Sequence, residues 1–299
     1  MTTLDLAADR LARARISLEG LAVGDAFGGR FFAAPGLDRT LPPAPWRYSD
    51  DTAMALGVVA ILGHRGGIDR DDLAAEFARA YAADPDRGYG QSVRRVLGAI
   101  GAGTPWREAT RLGFGGAGSL GNGGAMRAAP VGAYFADDPA EVARQAGASA
   151  EVTHAHPEGI AGAVAVALAA AWAWRARDAA RPRDGSGLIR AARDGLLAGE
   201  VRAGLDRALA LGLGVEPIEA ARTLGDGGRI TAPDTVPFAL WCAGRFLDDY
   251  AEALWATVAV GGDNDTNCAI VGGIVVLGNG PGAIPGSWRD ACERLPAGP

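Results

Sequence analysis

The stretch Gly261-Gly262-Asp263-Asn264-Asp265-Thr266-Asn267 opens the run Cys268–Gly278, which carries no charge at all. A run of that composition belongs in an interior, so the acids before it stand at the edge of buried structure rather than along a solvated face. Read as a helix, the run turns its unpaired first-turn N–H groups and the positive end of its dipole toward those acids. Two carboxylates at i and i+2 with a hydroxyl at i+3 suit a hard cation such as magnesium, which takes oxygen ligands and keeps part of its water. One turn supplies too few ligands, so a partner is required. Tyr48-Ser49-Asp50-Asp51-Thr52-Ala53-Met54 repeats the pattern: adjacent acids, flanking hydroxyls, then apolar residues. The two stretches lie near opposite ends of the chain and make chemical sense only if they meet. A boundary between them would destroy the site, so residues 1–299 are expected to form one domain.

The chain's 299 residues would by length alone allow about two domains. A 48% hydrophobic content supplies ample material for one sizeable core. Net charge is −6 with acids and bases interleaved, which gives no basic stripe and argues against a nucleic-acid partner. Cys242, Cys268 and Cys292 are odd in number and lack CxxC spacing, so neither a disulfide framework nor a thiolate metal site is expected. A reducing, cytoplasmic setting fits. The first ten residues place charges where a signal peptide needs an unbroken apolar segment. The longest apolar run, Ile160 to Trp174, falls short of the roughly 20 residues of a membrane span. It reads as a buried core helix, and no membrane partner is expected.

Apolar residues recur at helical spacing through most of the chain, and the alternation that marks strands is scarce. Helices are predicted from Leu4 to about Phe32, ending at the turn Ala34-Pro35-Gly36, and from the start set by Tyr48–Thr52 after an extended Pro42–Pro45 crossing. Further helices are predicted over 69–82, 92–100, 125–135, 140–151, 157–175, 188–197, 202–213, 217–224, 236–246 and 250–258, with a closing helix after Thr266. Gly113–Gly124 and Gly225–Pro233 read as loops, and Asp178–Gly187 as an exposed linker. The expected fold is all-α: a compact orthogonal bundle of roughly a dozen helices with a metal site in a central cleft.

Each constellation also has a bland reading. Asp50 and Asp51, or Asp263 and Asp265 with Thr266, can do no more than stabilise a helix dipole by about 0.3–1 kcal/mol. Their joint occurrence, each at the mouth of an apolar run, favours a shared metal site. Gly118-Ser119-Leu-Gly121-Asn122-Gly123-Gly-Ala-Met-Arg127 is a glycine loop feeding a helix. It is neither a dinucleotide fingerprint nor a P-loop, yet its backbone N–H groups can approach an anion, which suggests a phosphate-bearing ligand. His154 and His156 either cap a helix whose first turn holds Pro157 or supply a neutral hydrogen-bonding imidazole. Asp84 and Asp86 either open a turn or offer a loop acid. Asp25 either orients ligands from behind or is a structural aspartate inside a helix.

Taken in order, Gly20-Leu-Ala-Val-Gly24-Asp25-Ala-Phe-Gly28, Ser49-Asp50-Asp51-Thr52, Gly118–Arg127, Thr153-His154 and Gly262-Asp263-Asn-Asp265-Thr266 resemble the motifs of the ADP-ribosylglycohydrolase family. The resemblance spans about residues 17 to 278. It implies an all-α fold around two magnesium ions, with manganese as the alternative. Ser49, Asp50, Asp51, Asp263, Asp265 and Thr266 look like the metal ligands, with Asp265 bridging both ions. It further implies that Gly118, Ser119, Gly121, Asn122 and Gly123 cradle the diphosphate or adjoining ribose and that His154 lines the ADP-ribose cleft. The implied reaction is hydrolysis of the bond joining ADP-ribose to an acceptor, a protein side chain with arginine ahead of serine, by a monomer. Competing readings are a non-catalytic ADP-ribose-binding module and a hydrolase of a small conjugate such as O-acetyl-ADP-ribose. Ser49 stands where threonine is commoner, and Asn264 replaces a frequent threonine. Gly29-Arg30-Phe31-Phe32 lacks the glutamate that many members carry there. The general base is therefore sought among Asp50, Asp51, Asp265 and the loop acid Asp86.

Overall fold

A computed structural model describes residues 3–32 and 36–296. Fifteen α-helices are present among them. They are α1 (Thr3–Gly28), α2 (Asp50–Arg65), α3 (Arg70–Ala83), α4 (Gln91–Gly101), α5 (Trp106–Ala109), α6 (Ala129–Tyr134), α7 (Pro139–Glu151) and α8 (Pro157–Arg175). The second half adds α9 (Gly185–Asp194), α10 (Glu200–Leu211), α11 (Pro217–Leu224), α12 (Ala232–Arg245), α13 (Tyr250–Val258), α14 (Asn264–Asn279) and α15 (Gly286–Ala291). Extended pairing among the described residues is limited to two isolated bridges, Trp46 with Cys292 and Gly121 with Thr231.

The axis of the fold is α1 against α14. Three glycines spaced one turn apart on α1 sit on backbone carbonyls spaced the same way on α14. A Cβ on Gly20, Gly24 or Gly28 would lie 2.5, 2.1 or 2.2 Å from the carbonyl oxygens of Gly272, Cys268 and Asn264. The helices therefore run antiparallel, and only hydrogen at those positions allows their backbones to touch. This contact sets the last turn of α1, which carries Asp25, beside the first turn of α14, which carries Asp265. Beneath that junction Phe27 stacks on Trp288 at 4.4 Å and meets Trp46 and Trp255 edge-on. The cross-chain bridge at Trp46 ties the proline-rich crossing to α15.

The apolar run 160–174 lies in α8, the one described helix long and apolar enough by length and composition to cross a membrane. In this fold it is a core helix, 67% buried within the protein. Its Glu158 reaches outward to accept the Glu200 and Val201 N–H groups, capping α10 from a neighbouring element.

Several sequence expectations need correction. The helix expected over 125–135 begins only at Ala129, because the turn Asn122–Gly124 continues through Ala128. The linker 178–187 is not wholly exposed: Arg183 is buried, binding Asp248 and the carbonyls of Gly278 and Leu247. The helix expected after Thr266 begins at Asn264, which places Asp265 and Thr266 in its first turn, and it does not close the chain, since α15 follows. Of the turn expected at 34–36, Ala34 and Pro35 lie outside the described residues. The three cysteines are free.

Candidate active site

The carboxylates are set by helix ends. Asp25 accepts the Ser49 N–H at 2.9 Å, the Thr52 N–H at 3.1 Å and the Thr52 hydroxyl, so the end of α1 caps the start of α2. Ser49 is the N-cap of α2: its Oγ accepts the Asp51 N–H and donates to Asp51 Oδ2 at 2.8 Å. The Asp50 N–H donates to the Arg87 carbonyl at 2.7 Å, which anchors the acid to the loop after α3. Across from them, Asp265 Oδ1 accepts the Thr266 N–H in the first turn of α14.

Asp25, Asp51 and Asp265 each bring one carboxylate oxygen within 4.8 Å of the other two. Burial, followed by repulsion from Asp265 and the other acids, raises Asp51 well above the usual carboxylate range. Burial, followed by the charge of Asp263, does the same to Asp265. Asp50 is pushed up to about 7 by burial and by Asp25, and Asp25 to about 6 by burial against its hydrogen bonds. Asp51 Oδ1 is fully enclosed and has no hydrogen-bond partner. Buried carboxylates that repel one another and leave an oxygen unpaired are a fit for a divalent cation, whose charge would offset both the burial and the repulsion.

Asp51 and Asp265 stand at the floor of a cleft of about 440 Å³, within the range of small-molecule sites, with Asp25 behind them. Asp50, Asp51, Asp263, Asp265 and Thr266 line it on one side, and Ser119, Gly121, Asn122, Gly123 and His154 on another. The two sides are tied together: Asn122 Nδ2 donates to Asp263 Oδ2 at 2.6 Å and to Thr235 Oγ1 at 3.0 Å. His154 is buried, and desolvation followed by the charge of Arg127 lowers its pKa to about 3, so the ring is neutral.

Three expected site residues do not line the cleft wall. Gly118 is buried behind the cleft, at φ +79°, where a Cβ would meet the His156 N at 2.8 Å; it seats the loop rather than lining it. Ser49 is set behind the cleft wall, but its Oγ lies 2.8 Å from Asp51 Oδ2, so the hydroxyl stays beside the acidic cluster. Asp86 is exposed and also outside the lining. His156 caps α8 through its Nδ1, accepting the Glu158 N–H.

Other contributors were ambiguous or unmarked in the sequence. Asp25 stands within the acidic cluster itself, although its position inside a helix could equally have been structural. Gly88 and Gly90 to Val93 at the start of α4 and Arg229 to Thr231 before α12 complete the walls. At the rim, Phe114 and Ile230 hold φ values of 54° and 56° while 61% of each side chain is exposed. A β-branched or aromatic residue in that backbone region is strained, and such strain concentrates at ligand sites. Glycine density was the only available signal for these loops.

The family model described as ADP-ribosylglycohydrolase matches residues 6–298. The chain is 31% identical to the ADP-ribosylhydrolase ARH3 of Homo sapiens, over 96% of this chain and 91% of that protein. It is 29% identical to the ADP-ribosyl-[dinitrogen reductase] glycohydrolase of Rhodospirillum rubrum over 46% of this chain and 50% of that one. A solved structure described as an ADP-ribosylglycohydrolase-related protein complex superposes with a TM-score of 0.68 at 29% identity, covering 96% of this chain and 94% of that chain. An acid-floored cleft built from helix ends, a family model that matches residues 6–298 and a helical fold shared along nearly its whole length with that solved structure place the chain in the ADP-ribosylglycohydrolase family, as a glycohydrolase.

Proposed function

We propose that this protein hydrolyses the glycosidic bond between ADP-ribose and a protein side chain, using two magnesium ions held by Ser49, Asp50, Asp51, Asp263, Asp265 and Thr266. The observation that carries the reading is the Asp51 carboxylate, which keeps one oxygen enclosed and unpaired and brings an oxygen within 4.8 Å of Asp25 and Asp265, in a cleft that also holds a loop suited to phosphates. Bound magnesium supplies Lewis-acid charge stabilisation and acidifies a water.

The chain's own groups do the rest. The backbone of Ser119 to Gly123 receives the diphosphate and adjoining ribose, with Asn122 fixing that loop to Asp263. The exposed faces of Phe114 and Ile230 at the rim offer an apolar seat for a base. Cleavage develops positive charge at the anomeric carbon, and carboxylates of the floor stabilise that charge most strongly at the transition state. Proton acceptance from the attacking water falls to Asp50, Asp51 or Asp265, which line the cleft, and not to Asp86, which does not. Arginine is placed ahead of serine as acceptor because a guanidinium is drawn to an acidic cleft. The reading includes a cytoplasmic monomer whose 299 residues act as one domain, a setting that suits three free cysteines.

The test offers purified protein and magnesium three substrates, ADP-ribosyl-arginine, ADP-ribosyl-serine and O-acetyl-ADP-ribose, and follows free ADP-ribose. Release is expected fastest from the arginine conjugate. Tight ADP-ribose binding with no release from any of the three would replace hydrolysis by a binding role, and release from the acetyl ester alone would move the substrate to small conjugates.

A further inference from the structure

Arg127 has no place in the chemistry above, yet its side chain is among the largest that are fully enclosed. Its guanidinium lies over the Phe77 ring at 4.6 Å. Nη1 donates to the Gly123 carbonyl at 2.7 Å; Nη2 donates to the Ser149 carbonyl at 2.9 Å and to Thr153 Oγ1 at 2.8 Å. Thr153 Oγ1 lies 2.8 Å from His154 Nδ1. Among the described residues these are the only partners of that hydroxyl.

A guanidinium has donors only, so Thr153 Oγ1 must accept from Arg127. The threonine keeps one proton, and the one remaining partner is His154 Nδ1. Were Nδ1 protonated as well, two donors would face each other in a fully buried pair, and the hydroxyl proton would lack an acceptor, at a cost of about 1–3 kcal/mol. The arrangement that satisfies every group has Thr153 donating to an unprotonated Nδ1. The ring proton then sits on Nε2, the edge turned to the glycine loop, where Cβ atoms on Gly121 and Gly123 would lie 3.2 and 2.9 Å from Nε2.

We propose that Arg127, acting through Thr153, is a positioning residue that fixes His154 as its Nε2–H tautomer, so that the ring presents one hydrogen-bond donor to an oxygen of the ligand in the cleft. The identity of that ligand rests on the ADP-ribose reading; the tautomer does not. The same guanidinium holds the Gly123 carbonyl, so one buried cation sets both the loop and the donor beside it. The imidazole so fixed is a donor and takes no proton from water.

The chain contains three histidines, so nitrogen-15 imidazole spectra of the magnesium-loaded protein resolve three rings that His64→Gln and His156→Gln assign. Expected for His154 is a pyridine-type Nδ1 and a pyrrole-type Nε2, constant from about pH 5 to about pH 8. Thr153→Val should mix the tautomers and weaken ADP-ribose binding by about tenfold, the loss of one neutral hydrogen bond. Thr153→Ser, which keeps the hydroxyl, should restore both. A protonated Nδ1 in the unaltered protein overturns the proposal before any variant is made, as does a Thr153→Val protein that folds and keeps the Nε2–H form and its affinity. Failure of the unaltered protein to bind ADP-ribose, with the Nε2–H tautomer present, would instead count against the ligand assignment alone.

Discussion

At the scale of single residues, the site opposes stability. Burial raises Asp51 and Asp265 well above the usual carboxylate range, and neighbouring acids add to it: Asp265 acts on Asp51, and Asp263 on Asp265. Asp265→Asn keeps the shape and removes one charge. Without metal, the variant should be more stable by about 1 kcal/mol, which raises Tm by roughly 2–4 °C. Its magnesium affinity should fall about a hundredfold or more. Calorimetric titration beside thermal melting in chelator reads both quantities. An unchanged magnesium affinity would place the ligands elsewhere, and a lowered metal-free Tm would show that Asp265 is a structural hydrogen-bond acceptor instead.

At the scale of elements, the α1–α14 contact controls the site from below. Gly24→Ala drives a Cβ to within 2.1 Å of the Cys268 carbonyl, and a carbonyl inside a helix cannot swing away. Forcing the helices apart costs roughly 3 kcal/mol, or about 6–12 °C of Tm. It also draws Asp25 away from Asp265, so magnesium binding should weaken with the melt. Gly98 in α4 is the control: nothing lies within 4 Å of its would-be Cβ. There the same substitution should stabilise by about 0.5–1 kcal/mol. Equal effects at both positions, measured by thermal melting, would contradict the backbone contact.

For the molecule as a whole, the raised carboxylates make folding depend on pH and metal together. Asp25 and Asp50 hold their protons to about 6 and about 7 in the folded protein, above the roughly 4 of an unfolded aspartate. The folded state therefore binds more protons. Their contribution is fully present below pH ~4 and is lost as pH rises through 6 and 7. His154, lowered to about 3, works in the other direction: its contribution declines as pH falls below ~6.5. Five raised acids, Asp25, Asp50, Asp51, Asp263 and Asp265, outweigh one imidazole, so chelator-treated protein should lose Tm steadily from about pH 5 to about pH 7.5. Magnesium should abolish that slope and add about 2.7 kcal/mol at a hundredfold excess over Kd. Parallel curves with and without magnesium would mean that no cation binds among these acids.

Periodic amphipathic runs read reliably as helices from the sequence alone: α8, α11 and α13 fall at their predicted bounds, because each is opened by a proline or an acid and runs as one unbroken pattern. The acid-bearing start of α2 was equally legible and that of α14 was legible to within a turn, since charge beside an uncharged run leaves few places to stand. Helices of four and six residues, α5 and α15, were not, being too short to show a period. What tertiary structure alone decided is which groups meet. An aspartate at position 25 is ambiguous until glycines at 20, 24 and 28 let α1 lie directly on α14 and carry that carboxylate to Asp51 and Asp265. Arg127 looks like one more helix cation until Phe77, Gly123, Ser149 and Thr153 close around it. Local sequence records what each residue prefers within a few turns of chain, whereas a buried charge takes its meaning from partners that only long-range packing supplies.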